Sequence, residues 1–126
     1  MGLAGARVGA AVAVTDMQRA REFYEGQLGL KPHEDTGDGG RTYRCGDGTE
    51  LHIFPSARAR ASESTIAAFT VDDVAVVVDQ LSARGVTFER YDDPIKTDDK
   101  GIADVGPIKS AWMKDPDGNV LGITGG

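Results

Sequence analysis

The chemistry open to this chain narrows to a few side chains, because it has only two histidines, one cysteine and one tryptophan. His52 lies in the run CGDGTELHIF, where alternation makes Leu51 and Ile53 the core pair and turns Glu50, His52 and Phe54 to the open face. An imidazole there serves equally as acid, base, metal ligand, polar anchor or ordinary hydrogen-bonded ring; one titratable residue alone does not choose among them. A two-residue turn at Asp47 and Gly48 predicts Tyr43 across from His52 and Arg41 across from Phe54, bringing all four within reach of one ligand. In an enzyme, His52 with Tyr43 would be the acid and base. Cys45 has no second cysteine for a disulfide or a metal knuckle, and no partner that would activate it as a nucleophile. His33, beside Pro32, reads as solvent-exposed surface. There is no serine-nucleophile elbow, and the glycine-rich DTGDGG at 35–40 lacks a P-loop lysine and reads as a flexible turn.

These residues must be held by something, and an internal repeat says what. AVTDM from Ala13 to Met17 recurs as TVDDV from Thr70 to Val74, a spacing of 57 residues. Each copy ends an apolar extended run and supplies a helix start, with Thr15 and Gln18 as a capping box in the first. Met17, Ala20, Tyr24 and Leu28, then Val74, Val77, Val78 and Leu81, fall at helical spacing before Gly29 and Gly85. LKPHE and VTFERY follow as strands, and each copy closes with a hairpin, CGDGTELHIF and KDPDGNVLGIT. The order strand, helix, three strands therefore occurs twice, an α+β chain of two tandem βαβββ modules: about 6–55, a linker 56–63, and about 64–125, all in one domain of residues 1–126.

Strand alternation assigns the remaining faces. Val8, Val12 and Val14 should pack under the first helix. In the fifth strand Thr65, Ala67, Phe69 and Val71 take the helix side, leaving Ser64, Ile66, Ala68 and Thr70 opposite. Pro116 offers no ladder donor, so a three-residue loop of Pro116, Asp117 and Gly118 pairs Trp112 with Gly122 and turns the indole to the open face; a one-residue slip would bury it. The stretch from Asp92 to Lys109 has no clear periodicity and reads as a rim, a lid or a solvated connector.

With 14 Lys and Arg against 20 Asp and Glu, the net charge is −6 and the basic residues are scattered. That excludes the concentrated positive face that nucleic acid requires. The apolar N-terminal run is interrupted by Arg7 and is too short to span a bilayer, and it lacks the layout of a signal peptide, so no membrane association and a reducing cytoplasm are expected.

VTDMQRAREFYEGQLGL, FTVDDVAVVVDQLSARGV and AWMKDPDGNVLGI together resemble the vicinal oxygen chelate superfamily, which includes glyoxalase I, bleomycin-resistance proteins, fosfomycin-resistance enzymes and extradiol dioxygenases. The resemblance implies a curved mixed sheet, a half-barrel around a cleft. It also implies a divalent metal held from the open faces of the first, fourth, fifth and eighth strands, which carries over to Gly9, His52, Ile66 and Gly122. Three of these have no donor, and a catalytic site needs about three protein ligands; no metal and no cofactor are therefore expected. The resemblance and the cleft residues Tyr43, His52, Phe54, Trp112, Arg41, Glu50, Ile66 and Gly122 suggest a protein that binds or sequesters a small, planar, antibiotic-like organic molecule. Two alternatives stay open: a lyase, isomerase or dioxygenase-like enzyme using His52 with Tyr43 or a non-standard metal site, and an accessory dimeric interaction domain. Exposed strand edges and the resemblance imply a homodimer.

Overall fold

The computed structural model describes residues 2–93 and 95–126. The first module runs β1 (Ala10–Val14), α1 (Met17–Arg21) continuing into a π-helical segment (Glu22–Gln27), β2 (Lys31–Asp35), β3 (Arg41–Arg44) and β4 (Glu50–Pro55). The second runs β5 (Thr65–Val71), α2 (Val74–Ala83), β6 (Ile102–Val105), β7 (Ile108–Lys114) and β8 (Val120–Gly125). Each module builds one four-stranded sheet, ordered β1-β4-β3-β2 and β5-β8-β7-β6. In each, the first strand lies parallel to the last and the remaining pairs are antiparallel. The sheets adjoin along β1 and β5, and they do not close into a barrel. This is the mixed α+β architecture expected from the repeat.

The helices start where the repeat places them, with a different cap. Asp16, not Thr15, caps α1, accepting from the Gln18 and Arg19 amides, and Asp73 caps α2 through the Val76 amide. The Thr15 hydroxyl is occupied elsewhere, donating to Asp117 at 2.6 Å. The first helix then widens: the Leu28 amide reaches back to the Phe23 carbonyl, and the chain leaves through Gly29 at φ 74°. Val12, Val14, Ala20, Tyr24, Val74, Val78 and Leu81 are buried in a single apolar cluster that also takes in Ile53, Met113 and Ile123, so the core spans both modules.

A second tie crosses the modules at the β7–β8 hairpin. Buried Asp115 accepts from the Tyr24 hydroxyl at 2.7 Å, Asn119 Nδ2 donates to the Ala13 carbonyl at 3.1 Å, and Asp117 receives both the Thr15 amide and hydroxyl. Burial first, then Asp115, pushes the Tyr24 phenol well above its ordinary value, so it remains a donor.

Four further expectations need correction. Val8 lies before β1 and is 93% exposed instead of packing under the helix. VTFERY contributes only an isolated bridge from Phe88 to Met113. The sixth strand is Ile102–Val105, inside the stretch expected to be irregular, which also holds the start of β7; Pro94 of that stretch lies outside the described residues. Ile102 and Ala103 are both buried, which hides the two-residue period. The fourth correction concerns the β3–β4 turn. It has three residues, Gly46–Gly48, with Asp47 at φ 56° and Gly48 at φ 76°, and the Cys45 amide donates to the Thr49 carbonyl. The ladder is thereby slipped by one residue, pairing Thr42 with His52, Tyr43 with Leu51 and Arg41 with Ile53.

Candidate functional site

That slip decides which side chains meet. Leu51 and Ile53 are buried and His52 and Phe54 are half-buried on the other face, as alternation requires. Tyr43 and Arg41 follow the core pair and face the helix instead of the cleft. Tyr43 is 0% exposed, its ring stacks on Tyr24, and its hydroxyl donates to Glu25 Oε2 at 2.8 Å. Arg41 binds the same carboxylate oxygen at 2.9 Å and Asp35 at 2.8 Å. Burial and then the Glu25 carboxylate push the Tyr43 phenol up, while the hydrogen bond to Asp35 leads those raising Arg41. This triad ties the π-helical segment to β3. It leaves no His52–Tyr43 acid–base pair.

His52 has other partners, which the sequence reading passed over. Its Nε2 lies 3.1 Å from Asp38 Oδ2 and 3.3 Å from Thr36 Oγ1. Both belong to the DTGDGG connection, which is an ordered turn: the Thr36 amide donates to the Gly40 carbonyl, the Thr36 hydroxyl to Asp38 Oδ1, and the Gly40 amide to the same oxygen at 2.9 Å. A Cβ at Gly40 would run into the Ile53 carbonyl oxygen and lie 2.8 Å from Phe54 Cα, so only glycine lets the turn press onto β4. The Thr36 hydroxyl, then the Gly40 amide, hold the Asp38 carboxyl below the ordinary carboxylate range. Phe54 completes this half of the face, its ring centroid 5.3 Å from that of His52.

The second module supplies an aromatic wall. Trp112 pairs with Gly122 as the three-residue loop requires, and it stays outside the core cluster, half-buried. Tyr91, the last residue of VTFERY and not among the expected site residues, meets the indole edge-on at 5.7 Å. Gly122 keeps the floor low: a Cβ there would lie 3.3 Å from Thr65 Cγ2, 3.6 Å from Ala68 Cβ and 3.8 Å from Trp112 Cδ1. Ile66 is 43% exposed on the bulge between Thr65 and Ala67. Where β1 and β5 adjoin, a cavity of about 480 Å³ is lined by Val8 to Ala10, by Cys45, Glu50 and Leu51, and by Ala67 to Val71; His52, Phe54, Tyr91 and Trp112 do not line it.

The other singled-out residues are committed locally. Glu50 stands on the open face with Oε1 3.6 Å from His33 Nε2, and the same ring nitrogen lies 3.1 Å from Arg44 Nη2, so His33 is part of a surface ionic cluster. Burial, then Glu50, pushes the Cys45 thiol up, away from the thiolate a nucleophile needs.

A metal fits this donor set poorly. Across the ladders His52 faces Ala11 and the equivalent Gly122 faces Ala68, and neither these alanines nor Gly9 and Ile66 carry a donor side chain. His52 and Asp38 make two, and among the described residues no three His, Cys, Asp or Glu side chains gather for a metal. No described helix is long and apolar enough to cross a membrane.

Against known families, residues 8–123 match the model of the Glyoxalase/Bleomycin resistance protein/Dioxygenase superfamily. The chain belongs to this superfamily. Solved structures with the same fold include a putative glyoxalase family protein from Bacillus anthracis (19% identity, 94% of each chain covered, TM-score 0.71). A glyoxalase family protein from Enterococcus faecalis is similar at 22% identity over 95% of this chain and 98% of that one, with a TM-score of 0.69. A glyoxalase / bleomycin resistance protein from Catenulispora acidiphila shares 22% identity over 95% and 97% of the two chains, with a TM-score of 0.67. At this identity the likeness is one of fold. No curated protein matches the sequence.

Proposed function

We propose that this superfamily member binds a small, largely planar organic molecule on its open sheet face without a metal ion. The observation that supports the reading is that the open sheet face of each module carries aromatic or polar groups: His52 braced by Asp38 beside Phe54 on one, and Trp112 with Tyr91 over the glycine floor on the other. Flat apolar surface with a few placed polar atoms is how small-molecule sites are built. The single imidazole among the four superfamily ligand positions favours holding by shape and stacking over coordination. The bleomycin-resistance proteins within the superfamily make a natural product or antibiotic the class to try first. Enzymatic use of the site is the weaker reading, because the expected partner of His52, Tyr43, is buried on the opposite face with a raised phenol. The proposal includes a homodimer; sedimentation showing only monomer at micromolar concentration would remove that part.

The test is thermal stabilisation across a panel of planar natural products, read together with emission from Trp112, the only tryptophan. A ligand at a hundredfold its dissociation constant adds about 2.7 kcal/mol to stability, and hits should change Trp112 emission. About one tightly held divalent ion per purified chain, lost in His52→Ala, would overturn the proposal.

A further inference from the structure

The environment of His52 specifies more than its presence on the open face. The Thr36 hydroxyl has one proton and gives it to Asp38 Oδ1, so toward His52 the Thr36 oxygen presents lone pairs, as does Asp38 Oδ2. An unprotonated Nε2 would face two acceptors, at 3.1 and 3.3 Å, with no proton between them. The neutral ring therefore carries its proton on Nε2, and the lone pair falls to Nδ1. Among the described residues Nδ1 has no hydrogen-bond partner, and it is not one of their buried unpaired side-chain atoms, so solvent reaches it. The brace is itself built: Asp38 is fixed by Thr36 and the Gly40 amide, at a glycine that no other residue can replace without moving β4.

We infer that Asp38 is a positioning residue that holds the His52 ring in the Nε2–H form and turns a bare Nδ1 acceptor to the ligand, so that the site selects planar molecules carrying an N–H or O–H donor, such as phenols and lactams, over those offering only acceptors. The selection rests on the binding reading above; the positioning does not. A donor lost from the ligand leaves Nδ1 dry and unpaired on binding, which is a larger penalty than the net value of the hydrogen bond itself.

Nitrogen NMR of the full chain with labelled histidine rings tests the positioning, with His33→Asn assigning the two rings. In its neutral form His52 should show a protonated Nε2 with a detectable N–H proton and a bare Nδ1. In Asp38→Ala that proton should vanish into exchange and the ring relax to the mixture of a free imidazole, with the His33 signals and the circular dichroism unchanged. Thr36→Val should give a partial version of the same change. A protonated Nδ1 in the native chain, or the same spectrum after Asp38→Ala, overturns the inference. The ligand arm compares 2-naphthol with 2-methoxynaphthalene, which share a ring system and differ in the donor. Native protein should prefer the naphthol by about fivefold or more, and Asp38→Ala should narrow the preference. Equal affinities overturn donor selection while leaving the cleft reading intact. If neither probe binds, the cleft reading for planar ligands falls and the donor rule with it, and the NMR result judges Asp38 alone.

Discussion

Replacing Tyr24 by Phe removes one oxygen from the tie between the modules and little else. The Tyr24 ring is 0% exposed and packs edge-to-face on Phe23 at 5.0 Å, so the phenylalanine keeps its volume and its neighbours. What goes is the 2.7 Å hydrogen bond to Asp115. Bonds to a charged partner contribute about 1.5–3 kcal/mol. Asp115 keeps three other donors, the Asn119 amide at 2.8 Å, Asn119 Nδ2 at 2.9 Å and the Asp117 amide at 3.0 Å, so no bare charge is left and the lower end applies, about 1.5–2 kcal/mol. At roughly 3–4 °C per kcal/mol for a chain of this size, Tm should fall by about 5–8 °C. Urea denaturation at neutral pH reads the free energy and calorimetry the Tm, with an unchanged m-value confirming that the folded state has not loosened. A loss below about 0.5 kcal/mol would mean that the tie is solvated in solution and that the modules are held by the apolar cluster alone.

Three further outcomes follow from the same structure. Tyr24 and Tyr43 both have phenols raised in the folded chain, so their contribution is fully present below the unfolded value of about 10 and is lost as pH rises through the folded ones; urea midpoints should fall above about pH 10, and less steeply in Tyr24→Phe. Gly40→Ala should cost about 2 kcal/mol or more in urea denaturation and detach the DTGDGG turn from His52, since the added Cβ meets backbone; a neutral result would show that β4 yields easily. Tyr43→Phe should cost about 1–2 kcal/mol through the lost Glu25 bond while leaving ligand affinity unchanged, whereas Trp112→Ala should weaken any ligand; a Tyr43→Phe effect on affinity would put the phenol back at the site.

Much of the fold could be read from the repeat, because strand, cap, helix, glycine and hairpin each leave a local mark and all recur in order. The face of Trp112 was legible through Pro116, whose missing donor forces the three-residue loop. Tyr43 and Arg41 face the core because CGDGT occupies the position of DPDGN in the repeat and, like it, turns through three residues. No proline stood in the first turn to demand it, and Asp47 takes a positive φ that is unusual for a residue with a side chain. Asp38 was hidden differently. Glycine-rich runs read as flexible, yet here an aspartate among the glycines folds the run back on itself, and its reach to a histidine on another strand is a tertiary contact that no local pattern records. β6 escaped notice because two adjacent buried residues erase the alternation by which strands are recognised.

On the proposed reading, one face carries the ligand between His52 and Trp112. Titrating the labelled protein with 2-naphthol while following the His52 ring nitrogens and the Trp112 indole N–H tests it most directly. Both should move along one saturating curve while the Tyr43 ring and the Glu25 carboxylate stay still. Shifts gathered around Tyr43 and Glu25, with His52 and Trp112 unmoved, would contradict it.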